Sequence, residues 1–147
     1  MKIILEETRN KEIEVIIRGD IADKKVQHIL TLLKSATVVS KIILNDEEKE
    51  RLMDIDDILY FETKGGKVYA STLHKKYLSK YALSELLRMF QHHGIIQIGK
   101  SLLVNVHYVQ CLEAEFSGNY VITLKNKEKL LVSRFYMKGF RNAIMEG

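Results

Sequence analysis

The chain has 147 residues, of which 46% are hydrophobic and 29% charged, with a formal net charge of +4. That length supports one full core, or a core with an appendage, and the apolar runs are too short to span a bilayer as a helix. The single cysteine, Cys111, excludes an internal disulfide and fits a reducing compartment. The early acidic residues of MKIILEETRNKEIE argue against a secretory signal, so the expected location is cytoplasmic.

The charge is unevenly spread. Residues 1–57 carry 10 Lys+Arg against 13 Asp+Glu, a net −3; residues 58–147 carry 13 against 6, a net +7. This suggests two units, the second facing a polyanion, although lysine-rich solubility alone would give the same balance. Proline is absent, so turns must rest on Gly, Asn, Asp and Ser.

In chain order, residues 2–7 (KIILEE) and 11–18 (KEIEVIIR) read as strands joined near Arg9-Asn10, with Ile13, Val15 and Ile17 on one face. Asp20 is placed to cap a helix, with Asp23 favouring its positive end. Val26, Ile29, Leu30 and Leu33 form one apolar stripe along it. Residues 37–44 (TVVSKIIL) read as another strand. The charged segment 45–57 reads as an exposed connector, which sets the expected units at 1–54 and 55–147.

Beyond it, ILYFET at 58–63 and KVYASTL at 67–73 flank Gly65-Gly66, a strong hairpin signal. Lys64 and Lys67 make its tip doubly basic, His74-Lys75-Lys76 lies at the far end, and Glu62 is expected to pair with a nearby cation. Residues 82–93 read as an amphipathic helix with Leu83, Leu86, Leu87 and Phe90 in its stripe and Gly94 as its stop. The adjacent His92 and His93 point apart on a helix and suit its C-terminus better than a metal ion.

The stretch 95–109, IIQIGKSLLVNVHYV, is apolar except around Lys100. A lysine in such a run must reach solvent or meet an anion. Residues 95–98 therefore read as a buried strand, Gly99-Lys100-Ser101 as a surface turn, and 102–106 as the return. The turn would hold a cation and a hydroxyl on a rigid ledge suited to a phosphate or base edge; a simple solvated lysine remains the alternative. Residues 108–132 read as a three-stranded meander with Cys111 in the core beside Val109. Ser133 is expected to cap a final helix, with Arg134 beside its free N–H groups, where both can address a phosphate.

Catalysis finds little support. There is no G-x-S-x-G context and no phosphate-binding glycine loop before a helix. No Cys/His cluster has zinc spacing. The acidic groups Asp46-Glu47-Glu48 and Asp54-Asp56-Asp57 read as solvated surface rather than a nuclease metal site. No enzyme activity, metal or cofactor is expected, and no helix-turn-helix pattern is visible.

The order DILYFET, basic hairpin, L-x-x-L-L helix, IGKSLLVN and LLVSRFY resembles the LytTR family of bacterial transcription regulators over about residues 55–145. The matching positions are Ile58, Tyr60, Phe61 and Glu62; Leu83, Leu86 and Leu87; Lys100, Ser101, Val104 and Asn105; and Val132, Ser133, Arg134 and Tyr136. The resemblance implies an elongated, mostly antiparallel β-fold for the C-terminal part; with the small αβ unit read at the N-terminus, the whole chain is expected to be mainly β with short helices, an α+β fold. The resemblance also implies sequence-specific reading of paired repeats in double-stranded DNA, through loops entering the major groove and with two protomers bound together.

The implied DNA-binding residues are Lys64, Lys67, Lys100, Ser101, Arg134 and Tyr136, with Tyr136 equally open to a core role. Asn105 matches an asparagine better suited to bonding backbone. Gln97, Gly99 and Lys100 stand where many members carry a histidine and an arginine, and Phe135 replaces an arginine; lysine makes one flexible contact where arginine makes a fork. With no receiver domain ahead of residue 55, the chain looks like the stand-alone type, which leaves open control by a membrane-protein partner. The N-terminal unit is expected either to dimerise the protein, by strand-edge pairing or the Val26 stripe, or to pack on the C-terminal sheet. The competing reading of the whole is a non-catalytic module whose basic loops bind an acidic protein or a ligand.

Overall fold

The computed structural model describes residues 1–9, 13–37 and 40–146. The chain divides into two units, 1–34 and 35–147. In the first, residues 1–9 and 13–23 form neither strand nor helix, so the expected strands at 2–7 and 13–18 are not formed; residues 10–12 of the expected turn and second strand lie outside the described residues. Their apolar side chains find nothing to cover them: Ile3, Ile4 and Leu5 are all exposed. Helix α1 (Lys24–Thr37) follows. Its cap is Asp23 rather than Asp20: Asp23 Oδ1 accepts from the Lys25 N–H at 2.9 Å, while Asp20 Oδ1 holds the preceding turn through the Ala22 N–H. Val26, Ile29, Leu30 and Leu33 are the half-buried stripe that the spacing predicts.

The second unit is antiparallel β with two helices. Strands β1 (Lys41–Asp46), β2 (Lys49–Asp54), β3 (Tyr60–Lys64), β4 (Lys67–Ser71), β5 (Lys76–Ser79), β6 (Ile95–Gly99) and β7 (Leu102–Asn105) form one sheet. Their order across it is β2-β1-β5-β4-β3-β7-β6. Strands β8 (Val109–Ala114), β9 (Tyr120–Leu124) and β10 (Lys129–Val132) form a smaller sheet, the expected meander. Helix α2 (Leu83–Phe90) precedes β6, and α3 (Arg134–Glu146) ends the described chain.

Three differences from the sequence reading have physical reasons. The strand expected at 37–44 begins at Lys41, residues 38 and 39 being outside the described set. The expected connector at 45–57 is largely the β1–β2 hairpin, in register from Lys41↔Asp54 to Asp46↔Lys49. Its charges suit a strand on the sheet edge, and its turn places Glu47 at φ 57° without a glycine to announce it. Cys111 is exposed, not core. The register shifts between Val109 and Cys111, so the alternation slips by one and Leu112 becomes the next inward residue.

The long apolar stretch is explained by burial on both faces. Phe61 and Leu103 join a core with Leu86 and Phe90 of α2. Their neighbours Tyr60 and Val104 face the other way, into a core with Ile122, Leu124, Val132 and Phe140. Successive residues of a strand point to opposite faces, so β3 and β7, between two apolar layers, need apolar residues at both parities. At the end of β7, Asn105 is 1% exposed. It donates to the Ile58 carbonyl at 2.9 Å and accepts from the His107 N–H at 3.1 Å, the backbone-bonding role expected of it.

Candidate nucleic-acid interface

The β3–β4 hairpin closes on Gly65 and Gly66, at φ 60° and 77°, with Lys64 and Lys67 facing each other across the ladder. Positive φ at both turn residues is what a tight two-residue hairpin asks for, and glycine supplies it without strain. The β6–β7 hairpin closes on Lys100 and Ser101, with Gly99 opposite Leu102. These turns lie side by side. β3 pairs antiparallel with β7, and the Thr63 N–H donates to the Ser101 carbonyl at 3.0 Å.

The start of α3 is tied to the same place. The Ser133 N–H donates to the Ile98 carbonyl at 2.9 Å, one residue before Gly99. The Arg134 N–H donates to Asn119 Oδ1 at 3.1 Å, so a side chain from the β8–β9 turn holds this helix end. Gln97 Nε2 donates to the Gly99 carbonyl at 3.1 Å and lies 3.5 Å from Tyr136 Oη. Gln97 thus braces the Lys100 turn from below and links it to α3. The Arg134 guanidinium lies 5.5 Å from the centre of the Phe135 ring, within cation–π range, and Phe135 is 83% exposed.

The six expected contact residues are therefore brought together by three segments distant in sequence. Lys64, Lys67, Lys100, Ser101 and Arg134 are exposed, while Tyr136 is half-buried against Gln97. None of the four cations is in an ion pair among the described residues. Two supporting residues, Gln97 and Asn119, were not read as such from sequence. Asn119 stood in the turn Ser117-Gly118-Asn119, where its side-chain reach to a helix fifteen positions away in sequence has no local signal.

Five cations elsewhere on the larger sheet are paired. Lys75 and Arg51 both reach Asp46, at 2.5 and 3.0 Å, and Lys76 reaches Glu62 at 2.6 Å, the partner expected for that glutamate. Hydrogen bonding from Lys75 is the chief reason the Asp46 carboxyl is held below its ordinary value, with partial burial opposing it. The Asp54 carboxyl is lowered mainly by the Asp56 N–H. Burial raises the phenols of Tyr60 and Tyr108. No group of three or more His, Cys, Asp or Glu side chains among the described residues could hold a metal ion, and no helix among them is long and apolar enough to cross a membrane.

The model of the LytTr DNA-binding domain family matches residues 48–145. Among similar proteins, the sensory transduction protein LytT of Bacillus anthracis is 26% identical over 115 residues, covering 76% of this chain and 47% of that protein. The sensory transduction protein LytR of Streptococcus mutans is 26% identical over 119 residues, covering 78% and 49%. An uncharacterized HTH-type transcriptional regulator of Staphylococcus aureus is 29% identical over 111 residues, covering 76% of this chain and 72% of that protein. This chain thus spans about half the length of the LytT and LytR relatives. A solved LytTr DNA-binding domain from Bacillus cereus superposes with a TM-score of 0.67 at 22% identity, covering 71% of this chain and 96% of that one, which shows the same fold. On the family match over 48–145, this chain belongs to the LytTr DNA-binding domain family.

Proposed function

We propose that this chain is a non-catalytic, sequence-specific DNA-binding regulator of transcription. One observation carries the reading: the turns at Lys64–Lys67 and Lys100–Ser101 and the first turn of α3 meet at one end of the sheet, with their four cations free of carboxylate partners among the described residues. Dispersed Lys and Arg would anchor phosphates, and the two turns would read base edges in the major groove. Ser101 and Tyr136 would support these contacts. Two protomers side by side would read paired repeats.

The test is a random-library DNA pull-down at physiological salt, comparing wild type with Lys100→Ala. Enrichment of one paired motif that the variant loses is the expected result. Equal binding to all sequences would reduce the surface to a non-specific polyanion site. No binding to DNA would favour an acidic protein partner instead.

A further inference from the structure

The DNA face leaves the N-terminal unit without a role. Ile3, Ile4, Leu5, Ile13, Val15 and Ile16 are each between 60% and 92% exposed, in residues that form no strand and no helix. No non-glycine residue of 13–18 has a positive φ, so no left-handed residue interrupts that segment. Open apolar segments of β-prone residues are templates for pairing with another chain.

The order of charges says which chain. Residues 2–6 read KIILE and residues 14–18 read EVIIR. Within one molecule, the hairpin that aligns the two apolar triplets would set Lys2 opposite Arg18 and Glu6 opposite Glu14. Like charges directly opposite destabilise a ladder, which weighs against that pairing within one molecule. Between two molecules the outcome reverses, because each segment is its own antiparallel complement. About Ile16, Glu14 of one copy faces Arg18 of the other and Val15 faces Ile17. About Ile4, Lys2 faces Glu6 and Ile3 faces Leu5. Lys2, Glu6, Glu14 and Arg18 are exposed and in no ion pair among the described residues.

We propose that a second copy of this chain pairs with the first through residues 14–18, antiparallel about a two-fold axis at Ile16, and that residues 2–6 repeat the arrangement about Ile4. A two-fold contact presents the same patch from both copies, and these segments satisfy that condition in both charge and apolar order. The pairing needs no DNA and stands apart from the DNA-binding reading.

Sedimentation of the full 17.0 kDa chain without DNA tests it. Wild type sediments as a dimer in exchange with monomer. Glu14→Arg and Arg18→Glu each raise the dimer dissociation constant about tenfold, since two opposed pairs turn repulsive at once. The double variant E14R/R18E regains wild-type association, and an equimolar mixture of the two single variants forms heterodimers. Unchanged circular dichroism in all variants shows that the sheets are intact. A wild type that stays monomeric up to its solubility limit overturns the proposal. So does a dimer that all three variants leave untouched, which would place the contact elsewhere, as on the α1 stripe. Loss in the single variants without recovery in the double variant overturns it as well.

Discussion

Two regions of the same sheet handle positive charge in opposite ways. Along β1, β2 and β5, Lys41, Arg51, Lys75, Lys76 and Lys80 each sit within 3.4 Å of a carboxylate. At the β3–β4 and β6–β7 turns and the start of α3, Lys64, Lys67, Lys100 and Arg134 have none among the described residues. A surface ion pair contributes little to stability but cancels the local field. An unpaired cluster keeps its field, and that field draws in a polyanion. The difference teaches that counting lysines does not locate a candidate face; unpaired cations gathered on adjacent turns do, since isolated ones such as Lys49 and Lys138 also lack a carboxylate among the described residues.

The largest expected effect separates scaffold from contact on a single strand. Asn105 ends β7 and Lys100 lies just ahead of it, but Asn105 is buried with two backbone bonds while Lys100 is exposed. Asn105→Ala strands the Ile58 carbonyl and the His107 N–H, costing about 2–4 kcal/mol of stability in urea titration. DNA affinity per folded molecule should stay unchanged. Lys100→Ala and Arg134→Ala should do the reverse: about 1–3 kcal/mol of DNA affinity each and a salt slope shallower by about one, with unfolding midpoints unmoved. Unfolding of either variant would show a structural residue mistaken for a contact.

A smaller effect tests the paired region directly. Lys76 enters the ladder opposite Ser71, at the end of β4 away from the Gly65-Gly66 turn. Lys76→Ala breaks the pair with Glu62 and should cost about 0.2–1 kcal/mol of stability, with DNA affinity within about twofold of wild type. A loss of affinity as large as that of Lys100→Ala would erase the distinction between the regions.

The proposed DNA face was legible because its signals are local. Gly65-Gly66 between β-prone runs, and a lysine inside an apolar stretch, need no tertiary partner to be read. The β1–β2 hairpin was not legible, since an edge strand tolerates charge on both faces and its turn uses Glu47 at positive φ in place of glycine. The β8 bulge hid the same way: one extra residue moves Cys111 outward, and nothing in the composition marks the slip. At the N-terminus the alternation was read as two strands, yet a strand forms only against another strand, and among the described residues none pairs with residues 1–9 or 13–18. Gln97 and Asn119 escaped because their partners come from remote segments.

Acid should weaken the paired region. Asp46 and Asp54 both titrate below the ordinary aspartate value in the folded chain, and a carboxyl with a depressed folded value favours the folded state while ionised. Their contribution is complete above the unfolded value of about 3.9 and drains away as pH falls through the folded one. Stability measured by urea midpoint should therefore decline on acidifying below about pH 4, and Asp46→Asn should flatten that decline because the Lys75 and Arg51 pairs no longer titrate. Near neutral pH, where the DNA bases are uncharged, Asp46→Asn should leave DNA affinity per folded molecule within about twofold of wild type. A parallel loss of affinity and stability in that variant would mean that the β1–β2 edge, rather than the turns, carries the contact.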